Sequence, residues 1–146
     1  MEIRLTNSHG MEALISSYGC MLMRLYVPDS QGNTASVVLG LEDEAAYQHA
    51  DTNYGGIVGR YANRIGGGGF ELAGRFFPLE SNLNGNMHLH GGFRGFDKRW
   101  WQVLGMTANS VQLQYISEDG EEGYPGRLET TVTYLLDDET DYRLSA

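Results

Sequence analysis

At 146 residues the chain has the length of one ordinary domain, so a single unit spanning residues 1–146 is expected. Nineteen acidic residues against ten basic ones give a formal charge of -9, a field that repels a phosphate backbone and argues against nucleic acid as a partner. The single cysteine, Cys20, excludes an intrachain disulfide and a cysteine-based metal site, and it suits a reducing cytoplasm. The first residues lack the basic start and apolar run of a signal peptide, and no stretch approaches the ~20 apolar residues of a membrane span.

In chain order, Glu2–Thr6 alternates polar and apolar residues, and Met11–Tyr18 reads as its hairpin partner. A strand over Met21–Val27 is stopped by Pro28, and residues 29–33 (DSQGN) carry turn chemistry. Ala35–Leu41 reads as a further buried strand. Glu42–Ala50 is the one passage with good helix propensity, and its acidic residues stand where the helix dipole favours them. Phe70–Leu72 and Phe76–Leu79 flank a hairpin turn, and Trp100–Leu104, Val111–Ser117 and Leu128–Leu136 are further strands. In the last of these, Thr131 and Thr133 alternate with Val132 and Tyr134. After a polar turn over residues 137–141, Tyr142–Ala146 begins another strand, which must pair backwards or lack a neighbour. Many short, turn-bounded strands predict an all-β sandwich with at most one short helix.

The chemistry concentrates between Gly55 and Asp97, a glycine-rich stretch carrying arginines, asparagines and a histidine pair, a poor recipe for a core and a good one for a polar cleft. Asn63 and Arg64 precede Gly66–Gly69, whose backbone bends freely. An arginine fork beside an asparagine, which both donates and accepts, suits the vicinal hydroxyls of a sugar. Surface charges on a glycine loop are the other reading of Arg60 and Arg64. His88 and His90 would share a face in an extended segment, but zinc needs a third and usually a fourth ligand, and His9 and His49 are remote in sequence. No metal or cofactor is expected. His90 is open to two readings, a histidine satisfied by backbone partners and a binding residue. Gly66–Gly69 lacks the pattern of a phosphate loop and precedes no helix.

Taken together, GRYANRI (Gly59–Ile65), FELAGRFFPL (Phe70–Leu79), NMHLHGG (Asn86–Gly92) and GFDKRWW (Gly95–Trp101) resemble the N-terminal portion of the aldose 1-epimerases, or galactose mutarotases. EEGYPGRL (Glu121–Leu128) and the opening hairpins over residues 9–33 are similar to the family's segments in the same order. The resemblance implies a large antiparallel β-sandwich, here its N-terminal part, that interconverts the α and β anomers of hexoses such as galactose and glucose. It implies that Asn63 and Arg64 bind sugar hydroxyls and that His90 orients the sugar near its ring oxygen and anomeric centre. His88 supports the loop. Two departures are an extra residue in Asn86–His90 and Arg127 where asparagine is common. In the family a histidine in T-N-H-x-Y-[FW]-N serves as acid and a glutamate near the C-terminus as base, both beyond the position matching Ala146. The resemblance therefore assigns no catalytic residue here. The chain is expected either to be completed by a separate C-terminal half or to bind sugar without turning it over, with uncovered strands favouring self-association in a product lacking that half.

Overall fold

The computed structural model describes residues 1–138 and, for the backbone, 142–145. Four strands, β1 (Glu2–Thr6), β2 (Glu12–Ser16), β3 (Met21–Pro28) and β4 (Thr34–Ser36), form one antiparallel sheet in that order. Period-two alternation turns Ile3, Leu5, Ala13 and Ile15 to one face, where all four are buried. A register shift between Leu14 and Ile15 alters the alternation in β3, so Leu22 and Leu25 join that face while Met21 and Met23 pack on the other. Tyr47 of α1 (Glu44–His49) covers Met21 and Met23. The predicted helix is two residues shorter at its start and one at its end, because Asp43 becomes the N-cap and accepts from the Ala46 amide at 2.8 Å.

The strand predicted over Ala35–Leu41 is a correction. The ladder with β3 covers only Thr34–Ser36, with one further bond from the Val37 amide to the Leu25 carbonyl at 2.9 Å, and the Ser36 hydroxyl accepts from the Leu25 and Val38 amides and donates to the Val38 carbonyl. A hydroxyl that competes for local backbone groups ends a ladder. Val37 and Leu39 are left exposed beyond it, at 66% and 72%.

Next come two ribbons: β5 (Arg64–Ile65) pairs with β8 (His88–Leu89), and between them β6 (Gly69–Leu72) and β7 (Arg75–Pro78) form the predicted hairpin, with Phe70 stacked on Phe77. The second sheet contains β9 (Gln102–Met106), β10 (Ser110–Ser117), β11 (Leu128–Leu136) and β12 (Tyr142–Ser145) in the spatial order β12-β11-β10-β9. The predicted last strand pairs backwards, with Leu144 opposite Tyr134; residues 139–141 of its turn and residue 146 lie outside the described residues. The strand expected from Trp100 starts at Gln102, because residues 99–101 are drawn to the first sheet. Gly19 donates to the Arg99 carbonyl at 2.7 Å and Trp101 to the Ser17 carbonyl at 2.7 Å.

Val111, Leu113, Val132, Tyr134 and Leu136 meet Ile3, Leu5, Ala13, Ile15 and Leu25 in one core, with Phe96 and Trp101 among them. Two antiparallel sheets packed face to face over that core make the expected sandwich. Among the described residues α1 is the only α-helix, and no helix is long and apolar enough to cross a membrane. Cys20 is fully buried in this core, and burial pushes its thiol up to about 12. The Tyr134 hydroxyl crosses the interior to donate to the Cys20 carbonyl at 2.7 Å. Tyr134→Phe leaves that carbonyl buried without this donor and is expected to cost about 1–2 kcal/mol, read as a lower urea midpoint at unchanged slope.

Candidate functional site

The β5–β8 ribbon places Arg64 opposite Leu89 and Ile65 opposite His88. Its pattern continues one step further: the His90 amide donates to the Asn63 carbonyl at 2.9 Å, and the Asn63 amide donates to His90 Nδ1 at 3.0 Å. Asn63 (φ 68°) and His90 (φ 54°) both adopt left-handed backbone at this junction. Residues 27 apart in sequence thereby face each other. Arg64 Nη1 donates to Asn63 Oδ1 at 2.6 Å, so all three predicted site residues join one chain of hydrogen bonds.

Because Nδ1 accepts a backbone N–H, the neutral His90 ring carries its proton on Nε2. Among the described residues Nε2 has no hydrogen-bond partner and is free to donate outward. One nitrogen of His90 thus serves the backbone and leaves the other available. Among the described residues the exposed Arg64 guanidinium is engaged only through Nη1, which leaves its other donors available.

The side chains border two different hollows. His90, Asp97, Lys98, Asn53 and Asn82 line a cleft of about 280 Å3. Arg64 lines a groove of about 460 Å3 with Tyr61, Ile65, Phe70 and Tyr124. Asn63 connects them through its bonds to both residues.

His88 and His90 do not share a face. His88 continues β8 inward, 1% exposed, with Nδ1 donating to the Glu80 carbonyl at 2.8 Å and its ring edge-on to Tyr124. The left-handed turn at His90 breaks the extended period. Among the described residues no group of three or more His, Cys, Asp or Glu is placed to hold a metal.

Arg60 is half-buried, lines the Arg64 groove as well, and has its donors engaged by the protein itself. Its guanidinium donates to Ser117 Oγ and to the carbonyls of Ser117, Glu118, Pro125 and Gly126, at 2.7–3.0 Å. These bonds tie the start of the site segment to the end of β10 and the following loop. Asn82 was not visible as a site residue: its side chain accepts from the Leu89 amide at 2.6 Å and donates to the Leu89 carbonyl at 2.9 Å, acting as a third strand beside β8. Nothing in the surrounding residues signals this role.

Asp97, also missed, is 2% exposed in the His90 cleft and accepts from Asn53 Nδ2 at 3.0 Å. Burial pushes its carboxyl above the usual carboxylate range, against the downward pull of Lys98 and His90. Nearby, Glu121 takes the Tyr115 hydroxyl and Arg99 Nη2, each at 2.5 Å, together with Ser117 Oγ. Tyr115 is pushed up to about 12 by burial and then by that bond.

An aldose 1-epimerase family model matches residues 1–146. The chain belongs to the aldose 1-epimerase family. It is 48% identical to a galactose mutarotase of Rattus norvegicus over 125 residues, 84% of this chain and 35% of that protein. It is 36% identical to an aldose 1-epimerase of Escherichia coli (strain K12) over 143 residues, 98% of this chain and 40% of that protein. Among solved structures, an aldose epimerase homologue from C. elegans superposes with a TM-score of 0.93 at 29% identity, covering 99% of this chain and 44% of that one. A galactose 1-epimerase from Lactobacillus acidophilus superposes at 0.82, also 29% identical, over 98% of this chain and 42% of that one. The chain thus spans 35–40% of the length of these curated relatives.

Two outcomes follow for stability. Arg60→Ala removes five donor bonds and is expected to cost about 2–4 kcal/mol, with little recovery by lysine, while Arg64→Ala changes stability by no more than about 0.5 kcal/mol; guanidinium denaturation of the three variants checks the ranking. For Asp97 the folded pKa lies above the unfolded one. Its favourable contribution is therefore complete below the unfolded pKa, near 4, and is lost as pH rises through the folded pKa. Asp97→Asn, which keeps an acceptor for Asn53, is expected to raise stability at pH 7 and to flatten the stability profile above pH ~4, measured by denaturation midpoints across that range.

Proposed function

We propose that Asn63, Arg64 and His90 form the hydroxyl-binding part of an aldose 1-epimerase site that takes a hexose such as galactose or glucose. The observation that carries this reading is the reciprocal Asn63–His90 pairing, which joins a free imidazole N–H to a partly free guanidinium through one residue, Asn63, whose backbone N–H meets His90 and whose side-chain oxygen meets Arg64. One sugar ring lies across Asn63, with Arg64 donating to its hydroxyls from one side and His90 Nε2 donating from the other. Fixed donors of this kind hold a polyol in one orientation, and orientation is the first requirement for acid–base work on its anomeric centre.

Mutarotation needs a base to take the proton of the anomeric hydroxyl and an acid to protonate the ring oxygen; the ring opens, C1–C2 rotates, and the opposite face closes. The 146 residues supply binding, and the acid and base come from polypeptide outside them. That division is supported by the 35–40% span of the curated relatives and by the side-chain bonds already made at the nearest acidic groups. Asp97 is bonded to Asn53, Glu121 to Tyr115, Ser117 and Arg99, and Glu122 to two backbone amides. The segment by itself therefore binds hexose without catalysing its interconversion, and a second segment that packs on its exposed edge restores turnover. A cytoplasmic setting accords with the one buried, unpaired thiol.

Titration of the purified chain with D-galactose and D-glucose, followed by NMR, is expected to perturb the Asn63, Arg64 and His90 signals. Arg64→Ala and His90→Ala should each weaken binding at least about tenfold, the loss of one or two good hydrogen bonds; unchanged affinity in both removes the site assignment. Polarimetry on freshly dissolved α-D-galactose should show no acceleration over buffer. Acceleration abolished by Arg64→Ala would instead place an acid and a base within these residues.

A further inference from the structure

The His90 turn is anchored on its exit side by a residue distant in sequence. Leu89 and Gly92 close the turn through a bond from the Gly92 amide to the Leu89 carbonyl at 3.1 Å. The next two amides, of Phe93 and Arg94, both donate to one carboxylate: Phe93 to Glu122 Oε2 at 3.1 Å and Arg94 to Glu122 Oε1 at 3.0 Å. Gly92 packs directly beneath that carboxylate, where a Cβ would collide with Oε2. Any larger residue at position 92 would expel the Glu122 side chain.

Glu122 is itself held in an uncommon conformation, φ 50° and ψ 21°, between Gly120 (φ 85°) and Gly123 (φ 89°). The tight turn around it is closed by bonds from the Gly120 amide to the Tyr124 carbonyl at 2.8 Å and from the Gly123 amide to the Gly120 carbonyl at 3.0 Å. A left-handed glutamate is retained only where its surroundings over-determine it, and such strain gathers at sites that need a fixed geometry. Bonds from two arginines anchor the same module. Arg60 donates to the carbonyls of Pro125 and Gly126, and Glu121 pairs with Arg99, whose Nε donates to the Arg94 carbonyl at 2.9 Å.

We infer that Glu122 is a positioning residue for His90: its carboxylate clamps the exit of the turn through the Phe93 and Arg94 amides, and the turn so held presents the imidazole with Nδ1 against Asn63 and Nε2–H outward. The inference rests on the hexose-binding reading for its purpose, but the clamp and its effect on the imidazole are measurable without sugar. A carboxylate shared by two adjacent backbone amides is a stronger anchor than a neutral acceptor, because both bonds are charge-assisted. Glutamine can satisfy one amide and not both.

Glu122→Gly is the informative variant, since glycine adopts the left-handed backbone freely and so keeps the turn while deleting the carboxylate. Glu122→Gln is its conservative companion. In sugar-free protein, the exchange rates of the Phe93 and Arg94 amides are expected to rise at least about tenfold in Glu122→Gly and less in Glu122→Gln. The 15N shifts of the His90 ring should move from the pattern of a single Nε2–H tautomer towards an average of the two. Hexose affinity should fall severalfold in Glu122→Gly and recover partly in Glu122→Gln. Faster amide exchange with an unchanged His90 tautomer and unchanged affinity would overturn the inference, reducing Glu122 to a loop closure. A parent chain that binds no hexose would defeat the proposed function instead, and the tautomer measurement would still decide whether Glu122 orients His90.

Discussion

The pair of hydrogen bonds between Asn63 and His90 is the constraint around which the glycine-rich segment is arranged. The ladder of β5 and β8 is two residues long on each side, too short to hold a register by itself. The next pair replaces one backbone partner with an imidazole nitrogen, so a ring that would otherwise rotate becomes part of the ladder. Asn82 extends the pairing on the other edge of Leu89. Backbone geometry and side-chain chemistry are therefore set by the same bonds, and the free nitrogen of His90 points outward as a consequence of the bound one.

Around this ribbon the protein uses its arginines in two ways. Arg60 spends all of its donor directions on one hydroxyl and four carbonyls, and Arg99 is paired with Glu121 and the Arg94 carbonyl. These cations are structural, stapling loops that bury too little apolar surface to order themselves. Arg64 makes one short bond to Asn63 and remains exposed. Identical side chains four residues apart thus have different surroundings, decided by the number of carbonyls the fold brings to each.

That distinction marks the limit of what the sequence discloses. Alternation was enough to locate β1, β2, β3, β10 and β11, because in those strands one face is buried and the period of two is written into the residue types, whereas β6 and β7, with no buried residue, were located by the Ala73-Gly74 turn between them. The strand expected over Ala35–Leu41 failed where apolar composition suggested burial but backbone bonding to β3 stops after Val37, next to the local bonds of the Ser36 hydroxyl. The short ribbon of β5 and β8 has no periodic signature. Its existence depends on contacts made by Asn82, Asn63 and His90, and none of these is implied by neighbouring residues. Asn63, Arg64 and His90 were legible through motif resemblance. Arg60, Asp97 and Glu122 depend on long-range partners, so their environments became visible only when the fold assembled the elements.

The two sheets and the site segment also divide the energetic burden. The core formed by Ile3, Leu5, Ile15, Leu113, Val132 and Leu136 holds the two sheets together, and Phe96 anchors the site segment in it. The loops then inherit a rigid frame, and residues that cost stability are tolerated on it: a buried Asp97 carboxyl, a left-handed Glu122 and a His88 ring whose Nε2 has no partner among the described residues. Such costs are bearable only in a domain whose apolar core is large enough to offset them, and they cluster within the segments that frame His90. A site built on bonded backbone rather than packed side chains keeps its polar groups accessible. This is what the proposed recognition of a hydroxyl-rich ligand would demand, since every donor buried in packing would be one fewer to offer it.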